Sequence, residues 1–248
     1  MSHPRKIVRL FRAGALGIFV VLLFAIVLIQ IEQHVLRRRA ERLLSDVRSL
    51  EIHRSTFSDV QNLKGKWKSL ANFDDNCSEA SCTLEISCTD FYLRHFGFFV
   101  KINVLRSFML AGGRPGRIGA RILLEKGSVS GKSFHAGVIV PADKAVEGRW
   151  DAYGVGANAY SISEFSEIGY KPNPAHPGYL VVKPGGCDGP CREVDLIFTP
   201  SADPATINRL MQVDLSCLTR WIHPCRTESD IMPSAWAQYE LDYPRTAN

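Results

Sequence analysis

Between Arg12 and Glu32 the chain carries no charged residue. The stretch Ala13 to Ile31, AGALGIFVVLLFAIVLIQI, has nineteen residues and one amide, Gln30. A core helix of a soluble domain keeps a polar stripe toward water, and none appears here before Gln30. At about 1.5 Å per residue the run spans roughly 28 Å, close to a hydrocarbon core of about 30 Å. A transmembrane helix over 13–31 is therefore expected. A small-residue cleavage site is also lacking after the run, and the run exceeds the usual h-region of about 7–15 residues. Those two features favour an uncleaved signal-anchor over a removable signal peptide. No lipid-attachment motif is evident.

Other absences exclude chemistry. The chain has no Walker motif, no HExxH and no G-x-S-x-G; Gly127-Ser128-Val129-Ser130-Gly131 has valine where the nucleophile should stand. Gly154-Val155-Gly156-Ala157-Asn158-Ala159 matches G-x-G-x-x-A, but no helical pattern follows it. A dinucleotide site needs the motif between a strand and a helix, so a strand bulge or close strand packing is expected instead. Gly112-Gly113-Arg114-Pro115-Gly116 resembles an anion cradle in composition, although such runs are usually plain turns. His95, His135, His176 and His223 show no triad spacing, and His135 is expected on a sheet surface. No cofactor is expected, and the catalytic residues are unknown.

Charge is unevenly placed. Residues 1–50 hold nine Lys/Arg and three Asp/Glu, while the remaining 198 residues hold 21 basic and 22 acidic. The net charge of +5 is thus a property of the membrane flanks and gives no ground for nucleic-acid binding. Both flanks are basic: Arg5, Lys6, Arg9 and Arg12 before the run, Arg37, Arg38, Arg39 and Arg42 after it. Arg12 abuts the run whereas Glu32 precedes the second cluster, which leans toward a cytoplasmic N-terminus.

Seven cysteines are present. Six form close pairs, Cys77/Cys82, Cys187/Cys191 and Cys217/Cys225, each in turn-rich sequence. Disulfide staples are expected, and with them an oxidising compartment outside the cytoplasm, periplasmic or extracellular. The rival is zinc held by Cys187, Cys191, Cys217, His223 and Cys225, which the lack of any CxxC knuckle weakens. Cys88 shares a strand face with Leu84 and Ile86 and is expected as a buried free thiol. Asn76-Cys77-Ser78 fits a glycosylation sequon.

The expected organisation is a basic cytoplasmic tail (1–12), the transmembrane helix (13–31), juxtamembrane helices (32–70) and an α+β extracytoplasmic domain (71–248). Leu36, Ala40, Leu43, Val47 and Leu50 recur at 4-3-4-3 spacing. That stripe either packs on the chain's own domain or forms a self-association seam. A second helix is expected over 58–70, with Thr56 and Asp59 as a capping box. A loop follows over 72–81, then a strand ending at Cys88, then a helix within the aromatic-rich 90–110. Alternation over 118–124 and 129–140 marks a hairpin, and 150–165 a further strand. The prolines of 169–178 mark a loop. Strands at 179–183 and 193–199 flank the hairpin tip GGCDGPC. A helix starts at Pro204. The tail, with Trp221 and Trp236, is expected to dock on the sheet. The fold class is α+β: an N-terminal transmembrane helix continuing into a juxtamembrane helix, then a mainly antiparallel sheet with packed helices.

The stretches FTPSADPATINRLMQVDLSCLTRWIHPCRTESDIMPSAW and GRIGARILLEKGSVSGKSF resemble uncharacterised single-pass membrane proteins of acidobacterial type. The resemblance implies a membrane anchor and no particular activity, so it assigns no functional residue. The function expected is that of a membrane-anchored cell-envelope protein with a binding or structural role. The alternative is a membrane-anchored extracytoplasmic hydrolase with no recognisable motif. The expected partners are the lipid bilayer and, through the stripe, a second copy or another envelope protein.

Overall fold

One helix, α1, runs without a break from His3 to Ser49. The computed structural model describes residues 3–75, 77–96, 102–146, 150–162, 174–182 and 191–243. Over the apolar run α1 stands bare: the most apolar window, of mean hydropathy 2.8, has no buried residue. Beyond Glu32 the same helix turns amphipathic. Leu36, Ala40, Leu43, Leu44, Val47 and Leu50 are buried, and they belong to the main core. The 4-3-4-3 stripe therefore packs on the chain's own sheet.

Thr56 starts α2 (Phe57–Trp67), and both its N–H and its hydroxyl donate to Asp59 Oδ2. This is the expected capping box, which satisfies groups the first helical turn leaves open. Val60, Leu63 and Trp67 turn inward. Asp46 of α1 accepts from Trp67 Nε1 (2.9 Å) and Lys66 Nζ (2.5 Å), tying the two helices together.

Seven strands follow: β1 (Ala71–Phe73), β2 (Ser81–Thr89), β3 (Gly116–Glu125), β4 (Ser128–Val146), β5 (Trp150–Ile162), β6 (Tyr179–Val182) and β7 (Cys191–Phe198). Their order in the sheet is β1-β2-β3-β4-β5-β7-β6. The first five form an antiparallel meander. β7 then inserts between β5 and β6, parallel to β5 and antiparallel to β6. The expected antiparallel sheet thus contains one parallel pairing. β1 was not anticipated; it lies in what the sequence marks as loop.

Two helices, α3 (Phe91–Phe96) and α4 (Ile102–Leu110), stand where one helix is expected. After the sheet come α5 (Pro204–Leu210), α6 (Glu228–Ile231) and α7 (Pro233–Asp242). Asp203 caps α5 by accepting from Thr206 N at 2.9 Å, with Pro204 in the first turn as the sequence implies.

One sheet face carries the core. Cys82, Leu84, Ile86 and Cys88 of β2 alternate inward, as do Ile118, Ala120, Ile122 and Leu124 of β3. They meet the α1 stripe and the tail residues Leu210, Leu215, Leu218, Ile231 and Ala235. Residues 32–70 and the sheet share this core, so the juxtamembrane helices are part of the folded domain. Trp236 packs against it, but Trp221 is 54 % exposed and does not dock on the sheet.

Candidate functional site

The second sheet face is polar between β2 and β4. Glu85, Arg117 and Arg121 are exposed there, while Ser87, Ser133 and His135 are partly so. Strand alternation produces this directly: each of these residues neighbours an inward apolar one. The antiparallel register lines up Ser87, Gly119, His135 and Asn158 across four strands, and the parallel pairing adds Asp195. The adjacent row reads Thr89, Arg117, Gly137, Gly156 and Glu193. With strands about 4.8 Å apart, Arg117 and Glu193 stand roughly 14 Å from each other across two glycines. Between Arg117 and Glu193 the row carries no side chain at Gly137 or Gly156, which leaves a side-chain-free trough on this face; a Cβ at Gly137 would meet only Arg117 O, at 3.8 Å.

His135 lies over Gly119. A Cβ at position 119 would collide with the ring carbon Cε1 and with Nε2, so glycine is what lets the imidazole lie down there. Burial pushes the His135 pKa down, the flanking Arg117 and Arg121 cations push it further, and Glu85 opposes them. The ring is neutral at pH 7 and can both donate and accept. Arg121 is held by Glu85 Oε1 through Nε at 2.9 Å, and Arg117 Nε donates to Ser87 Oγ at 3.2 Å. Glu193 is pushed up by burial and by the like charge of Asp195. Glycines 154 and 156 of the G-x-G-x-x-A match lie inside β5, so they serve strand packing as expected.

The remaining sequence candidates fall elsewhere. Arg114 is buried and turned onto its own loop, donating to Met109 O (3.1 Å) and Gly113 O (2.7 Å). Both bonds come from Nη1, and the N–H groups of Gly112 and Gly113 donate to Met109 O and Phe108 O, so 112–116 is a turn and not an anion cradle. His176 Nε2 meets Asp242 Oδ1 at 3.0 Å, and its ring stacks on Tyr179. Its other nitrogen, Nδ1, is buried with no hydrogen-bond partner. The pair pins α7 to the edge strand β6. His95 and His223 are exposed and contribute nothing to the trough.

Cys77–Cys82 and Cys217–Cys225 are at disulfide distance, with Cα separations of 4.3 and 4.8 Å. Bonded to Cys217, Cys225 cannot serve as the thiolate of a zinc site, and the same holds for Cys217. Asp74, Cys77 and Cys82 are the one cluster with metal-ligand spacing among the described residues, and its two sulfurs are likewise joined. The pair Cys187/Cys191, the hairpin tip and Asn76 of the sequon lie outside the described residues or side chains. Cys88 is a buried free thiol whose pKa burial pushes up, against the pull of Arg39 and Arg94. It is unsuited to nucleophilic work.

Two polar features that sequence reasoning missed sit at the α1 docking seam. Asp90 is fully buried; Oδ1 accepts from Leu93 N at 2.7 Å and Oδ2 from Gly116 N at 2.5 Å. Burial pushes its carboxyl up to about 6, with the Leu93 and Gly116 N–H groups opposing and Glu32 of α1 reinforcing the rise. Lys132 Nζ caps the end of α1 by donating to Val47 O (3.1 Å) and Leu50 O (2.5 Å). Lys132 has no local signal, because its partners lie more than eighty residues away; for Asp90 the bond from Leu93 N at the start of α3 is local, whereas the bond from Gly116 N and the burial are not. No protein-family model, curated protein or solved structure matches the chain.

Proposed function

We propose that this is a single-pass membrane protein of the cell envelope. α1 spans the bilayer, the N-terminus is cytoplasmic, and the folded domain stands outside and binds a partner or ligand through the polar trough. The kinship with single-pass membrane proteins of acidobacterial type belongs to the same proposal. The observation that carries it is the contrast along α1: a bare apolar window leads directly into an amphipathic segment whose apolar stripe is buried in the domain. An apolar run with no protein around it needs lipid as its solvent. The two cysteine pairs support an oxidising compartment.

Orientation and pairing are tested by thiol labelling of intact cells with and without reductant. The expected result is labelling from outside only after reduction. Rapid labelling without reductant, or labelling only after permeabilisation, overturns the location. The trough is tested at Gly137, where a Cβ meets nothing closer than Arg117 O at 3.8 Å. Gly137→Val leaves the unfolding midpoint nearly unchanged and fills the floor. A photo-crosslinking residue at position 121 should give a discrete adduct in cells that Gly137→Val abolishes. The same residue at Gln61, on the exposed side of α2, should give none. Equal adducts at both positions, or no effect of Gly137→Val, retire the binding reading.

A further inference from the structure

Three large apolar side chains are exposed on the folded part of the molecule beside the exit of α1: Leu110 at 73 %, Trp221 at 54 % and Ile222 at 81 %. Their height along the helix can be read from its contacts. Gln30, next to last in the apolar run, donates its amide to Gly112 O at 3.3 Å. Gly112 has φ +87°, and a Cβ there would strike the Gln30 amide, so only glycine brings the loop this close. The Trp221 ring lies 3.6 Å from that same Cβ position. Two residues earlier, Thr219 Oγ1 accepts from Arg37 Nη1 at 3.2 Å. Arg37 stands seven residues beyond Gln30, about 10 Å further along the helix. The chain from Thr219 to Trp221 therefore descends toward the end of the apolar run, and Leu110 adjoins Gly112 by two residues.

The other flank of α1 is shaped differently. Leu28, Ile31, Val35 and Leu36 line a groove of about 280 Å³ with Glu32, Thr89, Arg39 and Arg94. Arg94 is fixed over it by donating to Thr89 O at 2.9 Å. Apolar residues of the last helical turns lie below and two guanidinium groups above, with the single carboxylate of Glu32 between them; the excess of positive charge on the upper side matches the order of an acyl chain and its phosphate.

We propose that this rim of the domain rests in the headgroup zone of the bilayer that α1 spans. Leu110, Trp221 and Ile222 enter the acyl boundary on one flank, and Arg39 and Arg94 hold a phospholipid phosphate on the other. The proposal rests on the reading of α1 as a membrane span. The occupant is lipid because the three side chains are held at the level where the apolar run ends, and because indole favours that interface. Gln30, Arg37 and the buried stripe make α1 rigid through the exit, so the domain keeps one tilt and one rim toward the membrane.

All four tryptophans, Trp67, Trp150, Trp221 and Trp236, lie outside the apolar run. Quenching of tryptophan fluorescence by lipids brominated near the headgroup therefore reports the domain alone. The full chain is reconstituted into phosphatidylcholine–phosphatidylglycerol vesicles containing such lipids. The expected result is partial quenching, lost in Trp221→Phe and weakened in Ile222→Ser. Both sites are exposed enough for the fold to tolerate the change. Quenching that persists undiminished in Trp221→Phe overturns the proposal, as does an unquenched wild type retained by the vesicles in alkali. Release of the chain in alkali overturns the spanning reading itself, so the two failures are told apart.

Discussion

Residues 13–31 and 32–49 belong to one unbroken helix and are both rich in leucine, yet they are solved by different surroundings. In the first, Leu16, Leu22 and Leu28 are 65 %, 57 % and 50 % exposed; in the second, Leu36 and Leu43 are 3 % and 0 % exposed. Leucine content does not separate the halves; charge and its angular distribution do, with none in the first and eight charged residues in the second, none of them buried. An apolar surface all round has no sheet it can bury against, whereas a stripe about 100° wide matches one. The polar residues Gln30, Glu32 and Gln33 mark the changeover. The lesson is that one helix can join a bare apolar segment to a core element with no break between the two.

The largest test of this contrast is truncation. A chain beginning at Gln30 should unfold cooperatively and stay dispersed without detergent. A chain beginning at residue 51 loses Leu36, Ala40, Leu43, Val47 and Leu50 from the core and should show no cooperative transition in urea. An unchanged midpoint in the shorter chain would show that the stripe is dispensable. Single substitutions repeat the contrast more finely. Leu43→Ala empties a fully buried site and should cost about 2–5 kcal/mol. Leu22→Ala should leave the unfolding of the domain where it was, as monitored by near-ultraviolet circular dichroism.

Asp90 gives the next effect, and its sign follows from its raised pKa. The folded carboxyl holds its proton up to about 6, against about 3.9 in the unfolded chain. Its contribution to stability is therefore complete below pH 4 and is lost as pH rises to about 6. A shift of roughly two units corresponds to about 3 kcal/mol as an upper figure. Asp90→Asn should flatten the stability profile in that window relative to wild type. An identical slope in both proteins would assign the titration to another group.

How much of this was visible in the sequence depends on the range of the interaction involved. The apolar run, the Thr56–Asp59 capping box, the β3–β4 hairpin and the helix start at Pro204 all come from patterns spanning a few residues, and all stand where the sequence puts them. The insertion of β7 between β5 and β6 leaves no local trace, because it depends on which edge is free once the meander has formed. Trp221 was misplaced because an aromatic residue in a tail reads as core, and nothing within a few residues marks it as exposed. His135 was recognised as a surface residue by alternation alone. Its place above Gly119, and the trough beside it, need the register of four strands.

Lys132 is a long-range feature whose effect should be moderate. Its ammonium satisfies carbonyls at the end of α1 that no helical N–H can reach. Burial pushes its pKa down, with Glu51 partly restoring it, so the interaction is made at a desolvation cost. Lys132→Met keeps the stem and removes the donors. The expected loss is about 1–3 kcal/mol in urea titration. Hydrogen exchange should be faster at the last turn of α1 than in its middle. Uniform acceleration along the helix would mean the lysine does more than cap it.

The smallest effect is a gain, and it falls where the two halves meet. Gln33 is 0 % exposed, and neither atom of its amide has a hydrogen-bond partner. A buried, unsatisfied amide destabilises, while an apolar side chain of similar size would fill the same space. Gln33→Leu should therefore stabilise the domain by about 1 kcal/mol. The chain beginning at Gln30 should show this gain in water, and the full chain should show it in vesicles. Equal gains place position 33 wholly inside the protein core, above the changeover. A gain confined to the shorter chain would mean that the amide finds polar partners at the bilayer surface. The boundary between the two halves would then lie beyond Gln33, nearer Leu36, and the rim would sit correspondingly deeper in the headgroups.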